Sequence, residues 1–67
     1  MSDMKTYEEL KAMVDAMESD FRKFYEKGNK AAGTRVRKHM ADLKRKAQEI
    51  RVEVQNMKQA EKPEGDE

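Results

Sequence analysis

Apolar residues recur at mostly alternating steps of three and four in two stretches of the chain, one on each side of Lys30. The first series is Met4, Tyr7, Leu10, Val14, Met17, Phe21 and Phe24, and the second is Val36, Met40, Leu43, Ala47, Ile50, Val54 and Met57. Such spacing predicts two amphipathic helices, each with one apolar stripe. The steps leading away from Lys30 are similar in both directions, so the two stripes can pair along their length. The pattern therefore predicts an all-α fold, an antiparallel two-helix hairpin with a coiled-coil-like seam.

The start of the first helix carries a capping signal. Thr6 and Glu9 have the spacing of a capping box, in which the threonine hydroxyl accepts a hydrogen bond from the backbone amide of the glutamate. We therefore predict a short lead-in over residues 1–6 and a first helix over residues 7–27. The helical hairpin as a whole is predicted to span residues 7–60.

Two residues form the predicted turn between the helices. Gly28 can adopt the left-handed conformation that ends a helix, and Asn29 is a favourable N-cap for the next one. The turn is therefore predicted at residues 28–29 and the second helix over residues 30–59. Residues 61–67 are acidic and have nothing to bury, so we predict a disordered tail there.

The seam takes up most of the large apolar residues, so a chain of 67 residues has a thin core. Since the sequence has no cysteine for a disulfide, we expect the hairpin to dimerise into a larger helical bundle. Met13, Tyr25 and Val52 fall off the seam and are either a second, interhairpin contact or ordinary surface residues. No apolar run is long enough to span a membrane and no signal-peptide core is visible, so a soluble, cytoplasmic protein is expected.

The net charge of +1 conceals a strong separation of charge along the chain. Residues 27–46, which we call the basic segment, carry eight basic side chains and one acidic side chain, Asp42. Residues 1–26 and 47–67 each carry a net charge of −3. Because the basic segment contains the turn and the first half of the second helix, the predicted rod has one positive end.

Basic side chains of this segment point in every direction that does not face the seam. Such a collar of positive charge suits a phosphate backbone, which proteins bind through charge and without sequence readout. The competing interpretation is a solvated face that keeps the protein in solution. The predicted DNA-binding residues are Lys27, Asn29, Lys30, Arg35, Arg37, Lys38, Lys44, Arg45 and Lys46.

Other chemistry has little support in the sequence. His39 is the single histidine and no cysteine accompanies it, so we predict a histidine at the edge of the seam near Asp20 and no metal site. No serine or carboxylate belongs to a catalytic constellation, so we predict no enzyme activity, no cofactor and no small-molecule substrate.

Gly28 and Gly33 are spaced like the glycines of a phosphate-binding loop. No lysine follows Gly33, however, and a helix instead of a strand precedes Gly28, so nucleotide binding is not expected. Gly33 costs about 1 kcal/mol of helix propensity. We expect it to allow a close approach of Phe24 or Tyr25, with phosphate binding by its exposed amides as the lesser alternative.

The run Gly-Asn-Lys-Ala-Ala-Gly-Thr-Arg-Val-Arg at residues 28–37 resembles the bacterial linker-histone-like family, the chlamydial histone-like DNA-binding proteins. Members typically have G-N-K-A-A and then R-V-R between a first helix and a basic amphipathic helix. The similarity extends from Tyr7 to Lys58 and implies DNA binding, nucleoid organisation and chromosome condensation without catalysis. The residues that match the family's pattern are Asn29, Lys30, Arg35 and Arg37.

Longer members of that family carry a lysine-rich C-terminal extension, whereas residues 61–67 of this chain are acidic. The basic segment alone would then have to bind DNA. We therefore interpret the sequence as a homodimeric, nucleoid-associated protein that binds double-stranded DNA without sequence specificity through the turn of a helical hairpin. Two alternatives stay open, a protein-interaction module whose basic end docks an acidic partner and a binder of structured RNA.

Overall fold

The computed structural model describes residues 3–60, and within that range the fold is all-α with no strand. The helical segments are α1 (Lys5–Ala16), α2 (Glu18–Lys27) and α3 (Lys30–Ala60). The first two follow each other across a bend, so the described residues form one bent helix and one long helix. The described part is elongated, with extents of 50 × 19 × 17 Å. The tail predicted over residues 61–67 lies outside the described residues.

Helix α1 begins earlier than the capping box predicts, and the box does not form. The Asp3 carboxylate accepts a hydrogen bond from the Lys5 backbone amide at 2.9 Å, which supplies an acceptor one turn ahead of the predicted cap. Thr6 therefore lies inside the helix. Its hydroxyl donates instead to a carboxylate oxygen of Glu53 on α3, at 3.1 Å.

The predicted continuous first helix is bent at Met17. The Met17 amide bonds the Val14 carbonyl, three residues back, at 3.0 Å, which tightens the helix locally into a 3₁₀ turn. Regular bonding resumes with the Phe21 amide, which donates to the Met17 carbonyl at 3.1 Å. The bend coincides with the burial of Met17, whose surface is only 3% exposed.

The turn between α2 and α3 has the predicted capping geometry. Gly28 takes a left-handed conformation with φ of 67°, and its amide donates to the Phe24 carbonyl at 3.1 Å. The Asn29 side-chain oxygen accepts a hydrogen bond from the Ala32 amide at 3.1 Å, so the predicted N-cap is confirmed. Two residues therefore satisfy backbone groups at the ends of both helices.

Of the three buried side chains in the described range, two lie close to this turn and the third, Met17, lies at the bend of the other helix. Ala32 is fully buried and Val36 nearly so, and together with Met17 they form the core of the described residues. A Cβ atom built on Gly33 would stand 2.7 Å from ring atoms of Phe24. The predicted close approach at Gly33 is thus confirmed for Phe24, because any larger residue would collide with that ring.

The seam is rotated from the predicted one. Predicted positions such as Val14, Met40 and Ala47 are exposed. The predicted positions Leu10, Met17, Phe21, Val36, Leu43 and Ile50 are buried or half-buried, whereas the half-buried neighbours Thr6, Met13, Asp20, His39 and Lys46 replace the exposed ones between the helices. The physical reason is the polar pairing described below, which requires charged side chains of both helices to face each other along one side.

This rotation leaves apolar side chains uncovered. Apart from Phe24, whose ring lies against Gly33, we call the exposed predicted-seam residues the apolar strip, and they are Met4, Tyr7, Val14, Met40, Ala47, Val54 and Met57. Of the residues predicted to lie off the seam, Met13 is half-buried, whereas Tyr25 and Val52 are exposed. Tyr25 packs against Phe24 edge to face and stacks on Phe21, with ring centroids 4.9 and 5.9 Å apart.

Candidate nucleic-acid interface

The basic segment runs from the last residue of α2, through the turn, into the middle of α3. The structure divides its predicted binding residues into two groups. One group is bonded to carboxylates of the same chain, and the other has no carboxylate partner among residues 3–60. The difference matters because a cation that is already neutralised must give up a partner before it can bind a phosphate.

Arg35 belongs to the bonded group. Its Nε atom donates to Oδ1 of Asp20 at 2.8 Å, and Nε2 of His39 lies 2.9 Å from Oδ2 of the same carboxylate. Asp20 keeps only 16% of its side-chain surface exposed. The bonds from Arg35, and then from His39, lower the pKa of Asp20 from its ordinary value. The predicted placement of His39 near Asp20 is confirmed.

Lys46 is the second bonded cation. Its Nζ atom donates to Oε1 of Glu9 at 2.9 Å, and the Lys46 side chain is only 19% exposed. This hydrogen bond lowers the pKa of Glu9 and raises the pKa of Lys46, because each charge favours the ionised form of the other. Lys46 therefore lies between the helices and presents little surface to an external ligand.

Arg45 is bonded within its own helix, to the carboxylate of Asp42. Arg45 is largely solvent-exposed and Asp42 is half-buried, so this pair contributes little to stability and can be opened by a competing anion. Arg22 on α2 is similar, since it bridges Glu18 and Glu26 at 2.9 and 3.1 Å. The bond to Glu18 raises the pKa of the Arg22 guanidinium.

Five cations of the basic segment are exposed and form no ion pair with any acid of the described range. They are Lys27, Lys30, Arg37, Lys38 and Lys44. Lys27 and Lys30 flank the turn, and the other three lie on α3. These side chains can approach phosphates without breaking an internal bond.

Asn29 stands apart from the cations, because its side-chain oxygen is used in capping α3. The sequence reasoning also missed two ion pairs in which the other helix opposes the basic segment, Asp20 with Arg35 and Glu9 with Lys46. In the predicted antiparallel register, each of these acidic residues on the first helix lies opposite a basic residue on the second, and this could have indicated the pairs. A seam defined by apolar residues alone could not reveal those pairs.

Neither a metal-binding cluster nor a membrane-spanning helix is found within residues 3–60. No cluster of histidine, cysteine or carboxylate side chains in residues 3–60 has the arrangement of a metal site. None of the three helical segments combines the length and the apolar character needed to cross a bilayer.

Comparison with known proteins gives one result. Neither the curated proteins nor the solved structures include a match to this chain. A family model does match, that of the histone H1-like protein Hc1, and it covers residues 4–60, which include both helices and the turn. The chain therefore belongs to the family of histone H1-like proteins Hc1.

Proposed function

We propose that this protein is a non-enzymatic, nucleoid-associated protein that binds double-stranded DNA without reading its sequence. Membership in a histone H1-like family supports this function. The observation that carries the proposal is the set of exposed basic-segment cations without an acidic partner among the described residues. Lysine and arginine that contact phosphates release condensed counterions, which favours binding to any sequence.

The bonded cations form a second tier of this interface. A phosphate that contacts Arg35 competes with Asp20, and one that contacts Arg45 competes with Asp42. We expect Arg45 to switch partners readily because it is exposed on the helix surface. Lys46 contributes least, since it is half-buried against Glu9.

The proposed position of the exposed cations depends on the antiparallel hairpin. Bonds join Thr6 to Glu53 near one end of the rod, and Asp20 to Arg35 and His39 near the other. Such pairing of early with late residues supports an antiparallel arrangement of the bent helix and α3. The five unpaired cations then lie at the turn and on the outer surface of α3.

Dimerisation through the apolar strip completes the proposal. The strip exposes methionine, valine and tyrosine side chains along both helices. Exposed apolar surface of this kind favours association. A second copy would cover the strip and form a four-helix bundle. The cations on the outer side of α3 would stay accessible.

A salt titration of binding to duplex DNA tests the function. If four to six phosphates are engaged, the log of the association constant should fall against log salt with a slope of about −4 to −5. Replacing Lys27 and Lys38 by glutamine should weaken binding to all sequences alike and make the slope shallower by about 2.

The matched control replaces two cations of α1, Lys5 and Lys11, by glutamine, and its affinity for DNA should stay close to that of the parent. Equal losses in both double variants would show that net charge alone is read. A parent that binds no duplex at low salt would refute the function, and tighter binding of duplex RNA than of DNA would move it to RNA. Heparin is a polyanion without a duplex, so equally tight binding of heparin and of duplex DNA would show that the protein recognises negative charge alone.

A further inference from the structure

Helix α3 carries a basic residue at every seventh position along nearly its whole length. These residues are Lys30, Arg37, Lys44, Arg51 and Lys58, and we call them the basic stripe. Seven residues make almost two helical turns, so the five side chains emerge on one flank at intervals of about 10.5 Å. From first to last they span about 42 Å, most of the 50 Å length of the described rod.

The stripe extends well beyond the basic segment. Arg51 and Lys58 belong to the part of the chain whose net charge is negative, and neither was among the predicted binding residues. They share the flank of Lys44, and an open groove on that flank is lined by Ala41, Lys44, Gln48 and Arg51. The positive surface is therefore as long as the helix.

No acidic side chain of α3 lies on this flank. The positions four residues after the first four cations hold Thr34, Ala41, Gln48 and Gln55, all of them neutral. The acids of α3 are on the opposite flank, where Asp42 bonds Arg45 and Glu53 accepts from Thr6. Within residues 3–60, no stripe cation forms an ion pair.

We propose that the basic stripe is a docking surface on which a DNA duplex lies lengthwise along α3, which extends the contact from the turn to the far end of the rod. This inference rests on the proposed DNA-binding function and goes beyond it in the footprint and in two residues, Arg51 and Lys58. The charge of the flank is complementary to an extended polyanion, because five cations are spread evenly and no acid interrupts them.

The spacing favours a duplex over a small anion. Neighbouring stripe cations are about 10.5 Å apart, too far to converge on one phosphate group. A duplex carries one charge per about 1.7 Å of its axis, so every flexible lysine or arginine of the stripe finds a phosphate within reach. The neutral side chains of Thr34, Gln48 and Gln55 can donate further hydrogen bonds to the same backbone.

The experiment compares three double variants in salt-titrated binding to a duplex of about 20 base pairs. Arg51→Gln with Lys58→Gln removes the far end of the stripe, Lys27→Gln with Lys38→Gln removes cations near the turn that are off the stripe, and Lys5→Gln with Lys11→Gln is the control of equal charge. Glutamine has a helix propensity close to that of lysine and arginine, so helix content should not change. Circular dichroism verifies this.

We expect the Arg51 and Lys58 variant to bind on the order of tenfold more weakly at 100 mM salt, with a slope shallower by about 2. A loss no greater than that of the Lys5 and Lys11 control would overturn the stripe. If only the Lys27 and Lys38 variant weakened, the function would stand and the stripe would fall. If the parent bound no duplex, both would fall.

A membrane surface is the competing ligand, because the apolar strip borders the stripe. Vesicles with one-third anionic lipid provide that arm of the test. Vesicle binding that depends on Arg51 and Lys58, without duplex binding that depends on them, would overturn the proposal. Duplex binding with those residues required, and no vesicle binding at the same salt, is the expected result.

Discussion

The two ends of this rod are built from the same kinds of residue but differ in how completely their apolar side chains are buried. At the turn end, residues 17–40, Met17, Ala32 and Val36 are buried and the two helix termini at the turn are capped. At the open end, residues 3–16 and 43–59, Met4 and Met57 remain more than half exposed. Helix α2 accordingly packs on α3 more extensively than α1 does.

The difference shows what a single chain of this length can stabilise by itself. A two-residue turn holds the turn-end helices together at small entropic cost, so the first few apolar contacts suffice there. Farther along, the helices are joined by polar pairs such as Glu9 with Lys46 and by apolar side chains that are only half-buried, such as Leu10 and Ile50. We infer that the turn end is stabilised within one chain, whereas the open end depends on a second copy.

The largest expected effect comes from the same substitution at both ends. Met17→Ala should destabilise the fold by about 2–5 kcal/mol because Met17 is almost fully buried. Met57→Ala should change stability by no more than about 0.5 kcal/mol, since Met57 is 59% exposed. Urea unfolding followed by circular dichroism, at a concentration where the chain is monomeric, measures both. Equal losses would show that the ends are equally closed.

A pair of valines tests whether the open end associates. Val54 belongs to the apolar strip and Val52 does not, yet both side chains are 48% exposed. For the parent we expect sedimentation as a dimer and a melting temperature that rises with protein concentration. Val54→Glu should abolish that concentration dependence, because the buried charge would oppose the contact.

The control, Val52→Glu, adds the same charge two residues away and should leave the dimer intact. The dimer would be refuted by a parent that sediments as a monomer and melts at one temperature at all concentrations. Equal disruption by both substitutions would mean that the contact surface is not the apolar strip.

A smaller effect is expected at Gly33, where the turn end is packed most tightly. Gly33→Ala gains about 1 kcal/mol of helix propensity but drives a methyl group into the Phe24 ring, and overpacking costs about 1–3 kcal/mol. The expected net result is destabilisation by about 1 kcal/mol. In a Phe24→Ala background the same substitution should instead stabilise, since the collision is gone. A thermal double-mutant cycle measures this change of sign.

The smallest effect concerns the polar bonds of the turn end under acid. Arg35 and His39 lower the pKa of Asp20 in the folded state, so Asp20 stabilises the fold above the ordinary carboxyl pKa of about 3.9. That contribution is lost as the pH falls through the lower folded-state pKa. The stability difference between the parent and Asp20→Asn should therefore be full at pH 7 and shrink below about pH 4.

Denaturant melts at pH 7, 5, 4 and 3 measure that difference. Asp15→Asn serves as the control, because Asp15 is exposed and forms no ion pair within the described residues. A difference between parent and Asp20→Asn that is constant with pH would show that the carboxylate charge is unimportant there.

The structure around the turn was predicted well from the sequence. The left-handed Gly28, the Asn29 cap and the approach of Gly33 to Phe24 follow from chemistry close to the turn, and the proximity of His39 to Asp20 follows from the predicted register of the two helices. The capping box at Thr6 was wrong because Asp3 supplies a competing acceptor earlier in the chain. The bend at Met17 has no proline or glycine to announce it, and only packing reveals it.

The rotation of the helices about their axes was beyond the reach of apolar periodicity. A stripe with steps of three and four fits a partner in more than one orientation, and a thin core discriminates weakly between them. Here the choice is made with Asp20, Arg35, Glu9 and Lys46, whose bonds bring one charged side of each helix inward. The same rotation decides which basic residues are neutralised, so the candidate interface could be predicted only in part.

The left-handed backbone at Gly28 makes the stability of the turn depend on the chirality of the residue at that position. Its φ of 67° is costly for an L-amino acid by about 1–2 kcal/mol, yet a side chain there would meet no atom within 4 Å. Space is therefore no obstacle, and chirality alone disfavours substitution. A D-alanine introduced by synthesis would adopt this conformation naturally and would restrict the unfolded chain, so a mirror-image residue should strengthen the turn where its ordinary counterpart weakens it.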